Sequence, residues 1–182
     1  QIDDPLSDKG WQQMREAVAD HAPWDQIISS PLSRCTDFAN ELSERHNIPL
    51  VMDERLMELS FGDWEGKSAA ELMDSSPDIL LKFWSDPVNH CPPNGERLAD
   101  FQQRIIAAWD EIIGSYAGQH ILIVGHAGQM RMVIRHVLGM PLDRMFRLQI
   151  PNAGISRIQI DGPRGGKADE MLPRLIFHDG SL

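Results

Sequence analysis

Cysteine is scarce in this sequence: two residues, Cys35 and Cys91, in a chain of 182. They lie far apart and without metal-ligand spacing, which points to a reduced, cytoplasmic protein without structural disulfides. Positive charge is also scarce. Seventeen Lys and Arg against 27 Asp and Glu leave a formal net charge of −10. Nucleic acid and anionic membrane surfaces both need a basic face, so neither is expected as a partner. No apolar run is long enough to span a bilayer. Neither a G-x-G-x-x-G nor a Walker A stretch is present, so a nucleotide-cofactor site has no support, and no His/Asp/Glu/Cys group has metal spacing. The expectation is therefore no cofactor and no metal. Internal repeats and low-complexity stretches are absent as well. The chain opens on a turn-like Gln1-Ile2-Asp3-Asp4-Pro5 with no initiator methionine, so the lack of a signal peptide says little.

What is present is ordinary for one globular domain: 42% hydrophobic and 24% charged residues in a length able to bury a sizeable core. Ser7 can cap a helix in which Trp11, Met14 and Val18 share a face. Strands are expected at Trp24 to Ile28 and Leu50 to Met52, with a helix from about Leu32 to His46 between them. Two short helices follow, Ser68 to Asp74 and Pro77 to Trp84, then a Pro/Asn/Gly loop from Pro87 to Gly95. The strongest helix signal runs from Leu98 to Tyr116, where Leu98, Phe101, Ile105, Trp109, Ile112, Ile113 and Tyr116 form one stripe. Strands are expected again at Ile121 to Val124, Phe146 to Ile150, Ile155 to Ile160 and Leu172 to Phe177, with Gly162 to Lys167 as a glycine-rich hairpin connection. Strands alternating with helices imply an α/β fold, a three-layer α/β/α sandwich around a mostly parallel sheet, with the last strands as antiparallel edge additions.

Two strand-to-helix junctions carry the chemistry. One is Gly125-His126-Ala127-Gly128, between the apolar run Ile121 to Val124 and a helix ending at Gly139. It sets His126 beside the free N–H groups of a helix N-terminus, a position that favours anions. The other is Ser29-Ser30-Pro31-Leu32-Ser33-Arg34, with Arg34 in the first helical turn. Ligands of open α/β sheets bind beyond the carboxyl ends of the strands, so Arg34 and His126 can face one pocket. A guanidinium there recognises phosphate bidentately. Glu58 is the third candidate: a carboxyl among apolar loop neighbours suits a general acid. Each has a plain alternative, namely a solvated helix arginine, a histidine satisfied by a turn and a surface glutamate. Glu65 reads as such a surface residue. His21, His46 and His120 read as exposed, His136 as structural, and His90 and Cys91 as part of a loop able to cover a pocket.

These segments together resemble the histidine phosphatase superfamily, the phosphoglycerate mutase-like fold. Asp4-Pro5-Leu6-Ser7 with Gly10 and Gln13 resembles the segment after the family's first active-site loop. Ser30-Pro31-Leu32-Ser33-Arg34 resembles its S-P-L-x-R motif, and Leu56-Met57-Glu58 with Phe61-Gly62-Asp63-Trp64-Glu65-Gly66 its L-x-E…F-G-x-W-E-G stretch. Pro93-Asn94-Gly95-Glu96 resembles the P-G-G-E-S loop, and Val124 to Gly128 the second-histidine motif V-x-H-G-G. The resemblance implies a phosphatase that works in two steps through a phosphohistidine. Arg34 would bind phosphate. His126 and the N–H of Ala127 would donate hydrogen bonds to phosphoryl oxygens. Glu58 would protonate the leaving oxygen and then help activate water, and no metal would be needed.

Departures from the family pattern are informative. Its R-H-G motif, which carries the nucleophile, belongs upstream of Asp4 and is absent, together with a strand the family places mid-sheet. The expectation is a single domain over residues 1–182 that is N-terminally incomplete by on the order of 20 residues, and inactive as this stretch alone. Ala127 replaces the usual glycine and Arg97 the usual serine after Glu96. The motifs look most like the α-ribazole phosphatase branch of cobalamin synthesis. A broad-specificity sugar or nucleotide phosphatase, or a phosphoglycerate mutase-like enzyme, would share them. The expected partner is a small phosphorylated metabolite, and a homodimer is left open. From another class, the rival reading is a non-catalytic phosphate-binding or interaction domain that lacks the nucleophile.

Overall fold

A computed structural model describes residues 1–163 and 170–180. The chain runs α1 (Asp8–Val18), β1 (Gln26–Ser29), α2 (Ser33–His46), β2 (Leu50–Met52), α3 (Ala69–Ser75), α4 (Pro77–Ser85), α5 (Leu98–Ser115), β3 (Ile121–Val124), α6 (Ala127–Val137), β4 (Ile155–Asp161) and β5 (Leu172–Gly180). Local signals set many of the boundaries. Ser7 Oγ accepts the Gly10 N–H at the start of α1, Ser68 and Glu71 form a capping box on α3, and Pro77 opens α4.

β1 lies between β2 and β3, all parallel, with Ile27 opposite Leu50 and Leu122, and Ser29 opposite Met52 and Val124. Side chains alternate between the two faces. Ile27 and Val124, with Leu122, pack against Val18 of α1 and Phe38 and Leu42 of α2. Ile28, with Ile121 and Ile123, packs against Ala108 and Ile112 of α5. Helices thus cover both faces of a parallel sheet, as the strand–helix alternation implies. The expected stripe of α5 is buried from Leu98 to Ile113 and meets Met132 and Val133 of α6.

The C-terminal part departs from expectation in two ways. β4 and β5 pair antiparallel with each other as a separate two-stranded sheet. They are not edge additions to the parallel sheet: their ladder bonds are satisfied within the pair, and Ile158, Ile160 and Met171 join the rest through the α5–α6 core. Among the described residues no strand bridges β3 and β4. The strand expected at Phe146 to Ile150 is absent too. A 3₁₀ turn spans Leu142–Arg147, with Leu142, Met145 and Phe146 packed in the α5–α6 core, and residues 148–150 form neither helix nor strand although their burial alternates. Of the glycine-rich connection expected at Gly162 to Lys167, residues 164–167 lie outside the described residues.

Candidate active site

β1 and β3 end side by side. Ser30 N–H donates to the Val124 carbonyl at 3.0 Å, so the starts of α2 and α6 converge at the carboxyl edge of the sheet. Arg34, in the first turn of α2, donates Nε–H to His126 Nδ1 at 3.2 Å across 92 residues of sequence. That bond leaves Nδ1 as acceptor and assigns the ring proton to Nε2, which stands 2.8 Å from Ser30 Oγ. His126 is buried. Desolvation, then Arg34 and Arg104, push its pKa down to about 3, so the resting imidazole is neutral. Cys35 closes the floor with Sγ 3.6 Å from His126 Nε2 and 3.4 Å from the Gly125 carbonyl. Burial pushes this thiol up to about 12, against the opposing pull of Arg34.

Glu58 arrives from a different direction. Its Oε2 accepts the Gly128 N–H at 3.0 Å and its Oε1 the Leu59 N–H at 2.9 Å. The carboxyl is therefore held by two backbone donors, not merely pressed among apolar side chains as its loop neighbours suggested. A Cβ at position 128 would lie 2.2 Å from Glu58 Oε1, so only glycine admits this approach. The loop behind Glu58 is clamped by Arg104 of α5. Its Nη1 donates to the carbonyls of Arg55 and Met57, both at 2.7 Å, and Nη2 to that of Glu58 at 2.9 Å. Nε and Nη2 also take both oxygens of Glu96 at 2.6 and 2.7 Å. All five guanidinium N–H donors are used. Glu96 in turn receives the Ser60 N–H, and its own N–H meets the Ser60 carbonyl.

The structure thus brings Arg34, His126 and Glu58 to one corner, with Ala127 as the first residue of α6 beside them. Glu65 is not the surface residue expected. It accepts from Ser60 Oγ, the Phe61 N–H and the Ile2 N–H. His136 is exposed rather than built into its helix, whereas His46 and His120 are half-buried and His21 is exposed. His90 and Cys91 face solvent on a loop whose Asn94 binds Asp63, and Arg97 is the exposed N-cap residue of α5. Sequence reasoning missed Ser30, Arg104 and Asp3. The paired serines ahead of Pro31 were the available signal for Ser30. Asp3 accepts both Ser33 donors, N–H at 2.7 Å and O–H at 2.8 Å, and these bonds hold it below the usual carboxylate range.

Chemically, a fixed guanidinium, a neutral imidazole and a helix N-terminus make an anion-binding corner. A carboxyl stands beside it, able to exchange a proton with a bound group. A cavity of about 480 Å³ opens from Arg34 and Glu58.

Comparison with known proteins gives the same direction. The profile described as histidine phosphatase superfamily (branch 1) matches residues 1–168. The protein named "Putative phosphoserine phosphatase 2" of Hydrogenobacter thermophilus is 33% identical over 140 residues, 77% of this chain and 68% of that protein. Adenosylcobalamin/α-ribazole phosphatase of Salmonella typhimurium is 28% identical over 158 residues, 86% of this chain and 78% of its own. The chain spans 42% of a bifunctional protein of Mycobacterium tuberculosis that it matches at 31% identity over 154 residues. Among solved structures, a mycobacterial glucosyl-3-phosphoglycerate phosphatase superposes with a TM-score of 0.85 at 25% identity, covering 100% of this chain and 91% of that one.

Proposed function

Because the chain belongs to the histidine phosphatase superfamily, we propose that the full-length protein is a phosphomonoesterase that works through a phosphohistidine and needs no metal ion. The observation that carries this reading is the convergence of Arg34 on His126 at 3.2 Å with Glu58 docked two residues further on, at Gly128. Arg34 holds the phosphoryl oxygens. His126 turns its Nε2–H from Ser30 to a phosphoryl oxygen and stabilises charge in the transition state. Its ring is bonded at both nitrogens, which suits a donor rather than a nucleophile, so the reading calls for a second histidine in an Arg-His-Gly segment of the full-length protein.

In the first step a nitrogen of that histidine forms a bond to phosphorus as the ester P–O bond breaks, and Glu58 gives its proton to the leaving alkoxide. In the second step water attacks phosphorus, the P–N bond breaks, and the Glu58 carboxylate takes the proton of the water. A named candidate substrate is α-ribazole 5′-phosphate, supported by the relative that carries that name. The test is to mix the full-length protein with a phosphomonoester and quench in base. Hydrolysis with a base-stable, acid-labile phosphoenzyme is expected. Phosphate binding without hydrolysis or a phosphoenzyme would favour the non-catalytic rival.

A further inference from the structure

The cavity that begins at Arg34 and Glu58 ends against a wall of carbon. Phe61, Trp64, Leu80 and Trp84 line its far side. Trp64 and Leu80 are buried in the cluster beneath α3 and α4, but Trp84 is 55% exposed. The Trp84 ring is not loose. It packs edge-on against Phe83 at 5.1 Å and Phe146 at 5.3 Å between centroids. An indole held by two aromatic neighbours, half open to water and lining the cavity is a ready stacking surface. The volume, about 480 Å³, is in the range of small-molecule sites.

The charges lining the same cavity are unbalanced. Arg34 faces the phosphate corner, which leaves Lys67 as the other side-chain cation among the lining residues, against the carboxyls of Asp4 and Glu65, with Glu58 holding its proton until the leaving group takes it. A leaving group that brings its own carboxylate would add like charge to a half-enclosed, weakly screened space.

We propose that this cavity is the leaving-group subsite and that it selects phosphomonoesters of alcohols carrying an uncharged flat ring, stacked on Trp84, over esters whose leaving group bears a carboxylate. The proposal rests on the phosphomonoesterase reading above. It separates this chain from what the names of its phosphoserine and glucosyl-3-phosphoglycerate relatives say of those proteins.

The test compares 2-phenylethyl phosphate with ethyl phosphate and 3-phosphoglycerate, whose leaving group carries a carboxylate and no cation, on the full-length protein. The first two esters release alkoxides of nearly equal basicity, so their ratio reports the pocket and not the chemistry. The phenyl ester should have kcat/KM about tenfold above the ethyl ester, the effect of one stacked ring, with 3-phosphoglycerate below both. Trp84→Ala should collapse the phenyl-to-ethyl ratio toward one, Trp84→Phe should keep most of it, and Asp4→Asn should narrow the gap to 3-phosphoglycerate. The corresponding phosphonates, which cannot be hydrolysed, should bind in the same order by calorimetry. Equal kcat/KM for the phenyl and ethyl esters, or a preference for 3-phosphoglycerate, would overturn the subsite while leaving the phosphatase reading intact. Ring-selective phosphonate binding with no ester hydrolysed would do the reverse. A ratio unmoved by Trp84→Ala would remove Trp84 from the argument and the proposal with it.

Discussion

Glu58 and Gly128 are fitted to one another. The carboxyl group accepts the Gly128 N–H at 3.0 Å, and the missing Cβ of residue 128 is the space in which Glu58 Oε1 sits. Gly128 lies inside α6, where alanine is ordinarily better by about 1 kcal/mol. Gly128→Ala should therefore do little to the melting temperature, yet expel Glu58. Hydrolysis of alkyl phosphates should fall by roughly 10²–10⁴, the usual worth of a general acid, and vanadate affinity should change far less. Full activity in a folded Gly128→Ala protein would separate Glu58 from catalysis.

Arg34 and His126 are expected to share one anion. Arg34→Ala and His126→Ala should each weaken vanadate binding to the full-length protein. The double variant should lose less than the sum, since groups on one ligand couple by about 0.5–3 kcal/mol. Strict additivity in a calorimetric double-mutant cycle would mean that the two do not meet on the same phosphate.

Arg104 should matter more than any ordinary helix arginine. Its removal frees three carbonyls of the Glu58 loop and strips Glu96 of its guanidinium partner. Hydrogen bonds to charged groups contribute roughly 1.5–3 kcal/mol, so Arg104→Met should lower thermal stability measurably. Arg104→Lys keeps the charge but not the fork. Esters with basic leaving groups should suffer in it more than p-nitrophenyl phosphate, as expected if the loop presents the acid. A uniform loss on both esters would indicate general destabilisation instead.

His126 also makes a pH prediction. Its pKa falls from 6.5 in the unfolded chain to about 3 in the fold. The unfolded state therefore binds the proton first, and the contribution of this residue to stability is complete above about pH 6.5. It is lost progressively as pH drops from there toward 3. His126→Gln should flatten the fall of melting temperature across that window. A curve parallel to that of the parent protein would show that other groups carry the acid limb.

Hydrolysis should continue in EDTA, because the guanidinium and the helix N-terminus supply the positive field that a metal would otherwise provide, and the neutral imidazole adds a hydrogen-bond donor. Loss on chelation with recovery on adding a divalent ion would contradict this.

Burial periodicity made much of this molecule readable in advance. The strand expected at Trp24 to Ile28, found at Gln26–Ser29, and the stripe from Leu98 to Ile113 each have one dominant physical cause, burial of apolar side chains. The pairing of Arg34 with His126 was readable because both sit just past strand ends. Arg104 was not: its partners are backbone carbonyls 46 to 49 residues away, and a carbonyl carries no sequence identity. Glu65 was hidden for a similar reason, as two of its donors are backbone N–H groups. Phe146 misled because an aromatic residue near Leu148 and Ile150 looks alternating, while its contacts with Phe83 and Trp84 belong to tertiary structure.

The two thiols divide the protein for labelling chemistry. Cys35 is sealed against the His126 ring with its ionisation pushed to about 12, so at neutral pH almost none of it exists as the reactive thiolate. Cys91 is exposed on the loop that docks onto Phe61–Asp63 through Asn94 and Asp63. Of these two, a maleimide dye should modify Cys91 at native conditions and reach Cys35 only on unfolding. The unaltered sequence thereby offers a fluorescent reporter a short way from the aromatic wall, and a built-in count of unfolded molecules from the second dye.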